Sequence, residues 1–257
     1  MPANLSLSAE TLLAFLLVLA RVSGAMAFVP LPGFSAAPGV ARTVFSLAFT
    51  LALAPRWPHV ETVPASGVVL AAWAAAEGAV GLAIGLTAAA VLEAAPFAAQ
   101  MLGMPAGYGY AQTVDPTTQA DAGILLVVAQ LAAGMLFFAL GFDGRMLRLF
   151  AASLERIPPG TYVFRLASAE AFIRLTARVL ETGVRMALPV VVLLVLVDVA
   201  LSLIGRLNAQ LQLLSLAFPA KMLTALFVLA AVLGSHARVL AHFGEEAFHA
   251  AYRVLGL

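Results

Sequence analysis

The sequence has 257 residues, of which 63% are hydrophobic and only 11% charged, against about a quarter charged in ordinary soluble domains. Its net charge of +1, with arginines dispersed along the chain, excludes the basic stripe of a nucleic-acid binder, and the absence of cysteine excludes disulfides and thiolate metal sites. The mean hydropathy of +1.01 and uncharged runs such as 122–142, which reach the roughly 20 residues needed to cross a bilayer, mark a membrane-associated, all-α chain.

Hydropathy predicts about six hydrophobic helices, with amphipathic helices between them. The first covers 12–28; Glu10 precedes it and no basic n-region is present, so it reads as a retained helix and not a cleaved signal. Pro30, Pro32, Gly33, Pro38 and Gly39 form the turn after it, and a second helix over 40–54 stops at Pro55. A third is predicted over 66–92, a fourth over 123–142, a fifth over 186–205 and a sixth over 213–234. Between the fourth and fifth, residues 143–185 carry seven Arg against four acidic residues in two amphipathic stretches broken by Pro158, Pro159 and Gly160. Arg174, Arg178, Glu181 and Arg185 share one helical face there, opposite Phe172, Leu175 and Val179, and the charged face is expected to be solvated. If every apolar segment spans, the positive-inside rule puts 143–185 in the cytoplasm and the basic-free stretch 93–121 across the membrane.

Four charges interrupt the apolar segments: Arg21, Glu77, Asp198 and Lys221. A charge facing lipid costs roughly 2.5–3.5 kcal/mol on insertion scales, so each should face protein or water. Pairing between helices accounts for all four, and a proton-transfer role is the competing reading. His236, His242 and His249, with Glu245 and Glu246, lie toward the C-terminus. His242 and His249 are two turns apart, about 10 Å along a helix, too far to share one ion, and a solvated face is expected. No phosphate loop, catalytic constellation, metal site or cofactor signature is found. Gly78, Gly81 and Gly85, with Ala88 and Ala89, recur at three or four residues and would let a neighbouring backbone approach closely.

The segment 100–121, QMLGMPAGYGYAQTVDPTTQAD, cannot be a continuous helix. Pro105 interrupts it, Gly103, Gly107 and Gly109 permit unusual backbone angles, and Asp115-Pro116 favours a turn. At membrane depth such backbone is tolerated only where protein buries it or water reaches it, which implies a cavity or pore.

Gly103 followed by GYGYA and then Val114, Asp115 and Pro116, the run FDGRMLRLFAASLERIPPG, and the register of Leu188-Pro189, Leu201, Arg206, Gln210, Leu211 and Phe218-Pro219 resemble the FliR family of flagellar export-gate proteins, shared with the SpaR/YscT-type components of injectisomes. The resemblance spans nearly the whole chain. It implies a subunit of a helical export-gate channel in the bacterial inner membrane, within the flagellar basal body or an injectisome base. Implied partners are FliP, FliQ, FlhB and unfolded export substrates. Under it, 1–92 is a FliQ-like N-terminal part, 93–122 a pore loop or plug, and 123–257 a helical part with the amphipathic segment 143–185 and a C-terminal hairpin. The implied plug comprises Gly103, Gly107, Tyr108, Gly109, Tyr110, Ala111, Val114, Asp115 and Pro116, with Tyr108 and Tyr110 as sealing rings. Subunit packing falls to Gly81, Gly85, Pro189, Asp198, Arg206, Gln210, Phe218 and Pro219. The sequence departs from the family pattern at Pro105-Ala106 (usually Gln-Met), Thr113 (often aromatic), Asp143 (usually His) and Asp198 (commonly Asn). Two other functions fit the composition: a small secondary transporter, suggested by Glu77 and Asp198, and a membrane scaffold.

Overall fold

The computed structural model describes residues 8–28, 39–58, 60, 66–108, 123–162, 166–207 and 213–257, and every regular element among them is helical. The elements are α1 (Ala9–Phe28), α2 (Gly39–Ala52), a 3-10 turn (Ala54–Arg56), α3 (Gly67–Gly103), α4 (Ile124–Ala139), α5 (Phe142–Arg156), α6 (Leu166–Leu207) and α7 (Leu213–Leu255). The Ser8 hydroxyl accepts the Thr11 N–H at 3.2 Å and so caps α1. Gly141 turns the chain from α4 into α5 with φ of 69°, a left-handed conformation that costs glycine little.

By length and composition α1, α3, α6 and α7 are able to cross a membrane. At 14 and 16 residues, α2 and α4 alone fall short of the roughly 20 required, but α4 and α5 together, bent by 64° at their junction, are long and apolar enough to form one broken span. The six predicted segments are all helical, but three end elsewhere. Helix α3 carries on past 92 to Gly103, with Pro96 inside it, so the first third of the expected loop is helix. The fifth segment is continuous with the amphipathic run before it, forming the 42 residues of α6, and the sixth runs on into the 43 residues of α7. Pro189 and Pro219 lie inside these helices. A proline removes one backbone hydrogen bond, and apolar neighbours can hold the helix together across it.

The chain forms two compact units. One contains α1, α2, α3 up to Ala90, α5, α6 up to Leu175 and α7 from Glu246; the other contains the rest of α3, α4 and the remaining parts of α6 and α7. In the first, α1 buries Leu17, Val18 and Val22, α3 buries Val80 and Ile84, and α5 buries Leu149 and Phe150. Phe142 stacks on Phe248 at 5.7 Å between ring centroids. Helix α2 is built apolar side out: Ser46 and Thr50 are buried while Val40, Val44, Leu47 and Leu51 are exposed. Both buried hydroxyls donate to carbonyls of their own helix, at 2.8 and 2.7 Å, so their burial leaves no donor unpaired. In the second unit, Leu102, Ala106, Met186, Val190, Leu194 and Ala225 form the core.

Candidate functional site

The end of α3 delivers the chain to the expected plug. After Gly103 the Ala106 N–H still donates to the Leu102 carbonyl at 2.9 Å, and the Gly107 N–H donates to Met104 at 3.1 Å. Ala106 is fully buried. Gly107 then adopts φ of 87°. The left-handed backbone favours glycine there, and the Phe218 ring, 3.1 Å from where a Cβ would lie, would have to give by a few tenths of an ångström to admit one. Tyr108 is half-buried, and its hydroxyl donates to the Met222 carbonyl at 3.4 Å. Burial pushes the phenol above its ordinary pKa. The loop onset is therefore seated on the Phe218–Met222 turn of α7. Gly109, Tyr110, Ala111, Val114, Asp115 and Pro116 lie outside the described residues, as does Gln210.

The four charges within apolar segments form two pairs. Arg21 and Glu77 are each 1% exposed, with Arg21 Nη2 2.5 Å and Nε 2.6 Å from Glu77 Oε2. Arg21 also donates from Nη1 to the Ser153 hydroxyl at 3.2 Å and from Nη2 to the Ile157 carbonyl at 3.1 Å. The second Glu77 oxygen accepts the Gly160 N–H at 3.3 Å. One closed network thus ties α1, α3, α5 and the Pro158-Pro159-Gly160 turn together, which is how a buried ion pair offsets its desolvation. Gly160 has φ of 74°, and a Cβ on it would collide with the Trp73 ring one turn before Glu77. Ser153, Ile157 and Gly160 escape the sequence reading, because two are ordinary residues acting partly through backbone atoms and all lie far along the chain from their partners. Lys221 pairs with Asp198, and this pair is open: the side chains are 19% and 51% exposed. Pairing on both sides leaves Glu77 without the free, water-accessible carboxylate that a transport or proton-relay site would use.

Of the expected packing residues, Gly81 and Gly85 serve a contact inside this chain. A Cβ on Gly81 would strike the Arg21 carbonyl of α1, and one on Gly85 the Ala25 carbonyl. On the other side Gly24 faces the Gly78 carbonyl in the same way. The two backbones meet through glycine on both helices.

Residues 12–247 match the family described as bacterial export proteins, family 1. The chain belongs to this family. It is 26% identical over 237 residues to the flagellar biosynthetic protein FliR of Escherichia coli (strain K12), covering 90% of this chain and 88% of that protein. The FliR of Pectobacterium carotovorum subsp. carotovorum is 25% identical over 171 residues, 66% of this chain and 65% of its own. That of Buchnera aphidicola subsp. Acyrthosiphon pisum (strain APS) is 19% identical over 150 residues, 58% of each.

The matched stretch contains the loop, both ion pairs and Pro96, Pro189 and Pro219 of the three long helices. Pro189 lies inside α6, and one turn before it the Met186 carbonyl bonds His236 Nε2 at 3.0 Å. His236 is thus half-buried against α6, unlike the solvated ring expected, because its ring reaches across to that backbone carbonyl. His242, Glu245, Glu246 and His249 are exposed as expected. Among the described residues no group of three His, Asp or Glu is placed to hold a metal. The amphipathic arginines sit on an exposed face, with Arg174 bonded to Glu170 at 2.9 Å and Arg178 to Glu181 at 3.0 Å.

Proposed function

We propose that this protein is a subunit of the flagellar type III export gate in the bacterial inner membrane, or of its injectisome counterpart, where it stoppers a conduit for unfolded substrates. The observation that carries the proposal is membership of the export family over residues 12–247, with FliR proteins among its relatives. The seating of Gly107 and Tyr108 on α7 supports a loop held by one helical wall. FliP, FliQ and FlhB are the partners of this reading, and neither a cofactor nor catalysis enters it.

Deletion of 107–113, with the protein co-expressed with its partner subunits, tests the stopper. The expected result is an assembled complex that leaks small ions across the membrane. A complex that assembles and stays tight would remove the stopper role, and loss of assembly would point to a scaffold.

A further inference from the structure

Helix α6 is asymmetric where it is most apolar. Residues four apart on a helix are offset by only about 40°, so Asp198, Ser202 and Arg206 follow one flank, each exposed. Leu193, Leu196 and Ile204 occupy the opposite flank, exposed and without a polar atom in their side chains, while exposed Val195 lies among the polar three. One flank is apolar alone and the other carries every polar side chain of this stretch of α6. Lipid suits the apolar flank, whereas a half-exposed carboxylate and a guanidinium facing lipid are costly. Ser202 satisfies its hydroxyl on the Val199 carbonyl at 2.8 Å, and Asp198 takes its cation, Lys221, from α7.

A second observation ties this flank to the loop. Lys221 lies on the same turn of α7 as Phe218 and Met222, the two residues against which Gly107 and Tyr108 are seated. The ion pair and the loop onset therefore meet at one place.

Resting on the export-gate reading above, we infer that Asp198, Ser202 and Arg206, with Lys221, form a hydrated wall of the conduit, contacted by the unfolded polypeptide as it passes. The wall carries one neutralised pair, one hydroxyl and one arginine, with Val195 among them. Such a surface keeps water beside the chain and offers no deep apolar pocket in which a passing side chain would lodge. This departs from the packing role that the resemblance gives Asp198 and Arg206.

The chain has no cysteine, so Ser202→Cys and Leu196→Cys each introduce a single thiol. Both are made in the full gate in native membranes, and modification by a membrane-impermeant maleimide is read as a mass shift of this chain. Ser202→Cys is expected to react about tenfold faster or more than Leu196→Cys, and to be shielded when an export substrate is arrested in the gate. Equal rates, reaction only with a lipid-soluble maleimide, or no shielding would overturn the inference. A second measurement uses the gate lacking 107–113: Arg206→Glu should raise cation over anion permeability about twofold or more, and an unchanged reversal potential would likewise overturn it. If that deleted gate leaks while Ser202→Cys stays unreactive, this inference fails alone; if it assembles and does not leak, the stopper reading fails.

Discussion

Removing one partner of the Arg21–Glu77 pair leaves the other charge buried among α1, α3 and α5, because neither side chain has a route to water at 1% exposure. Glu77→Gln or Arg21→Met alone is expected to cost about 3–5 kcal/mol, while the double change Arg21→Met with Glu77→Leu should recover most of it. Thermal unfolding of the purified protein, read for both singles and the double, checks this; equal losses in all three would show that the network and not the charge is what matters. Tyr108 behaves differently. Its folded pKa is raised by burial, so its contribution is fully present below the ordinary phenol value of about 10 and lost as pH rises through the folded value. The seat of the loop should thus be indifferent to pH between about 5 and 9, as measured by limited proteolysis of the loop. Tyr108→Phe, which gives up only a 3.4 Å hydrogen bond, should cost about 1 kcal/mol or less.

Between elements, the tightest constraint is the crossing of α1 and α3. Gly24 and Gly81 face each other's helix with no room for a Cβ against backbone, and backbone cannot yield as a flexible side chain does. Gly81→Leu is expected to separate the helices, pull Arg21 away from Glu77 and reduce accumulation of folded protein severely. Gly39→Leu, where a Cβ would meet nothing within 4 Å, should leave accumulation unchanged, and comparing the two in membrane fractions tests the claim. Glycine at both sites looks alike in sequence. Spacing does single out Gly78, Gly81 and Gly85, but its partner, α1, is found only when the helices are packed.

For the molecule as a whole, the long helices leave much apolar surface bare. Leu188, Val192, Leu196 and Leu203 on α6 and Leu223, Phe227 and Leu233 on α7 are all exposed, a surface that lipid or other subunits must cover. The chain extracted in mild detergent from cells that also make FliP and FliQ is expected to co-migrate with them on size exclusion. Migration as a free monomer under those conditions would count against the gate.

The sequence by itself determined that the chain is helical and apolar, that a helix ends where Gly103 and Pro105 fall, and that the buried charges need partners, because each of these follows from local composition and from the cost of polar groups in hydrocarbon. It also carried the family, through the order of Gly, Tyr, Pro and Arg along the chain. Tertiary structure alone decided that Arg21 pairs with Glu77 and Lys221 with Asp198, that Gly160 supplies Glu77 with its last donor, and that Pro96, Pro189 and Pro219 lie within helices and do not end them. Pairing is settled by which helices touch, and a proline ends a helix only where neighbours fail to compensate for the lost bond. Both depend on contacts between residues far apart in the chain, which local pattern does not encode.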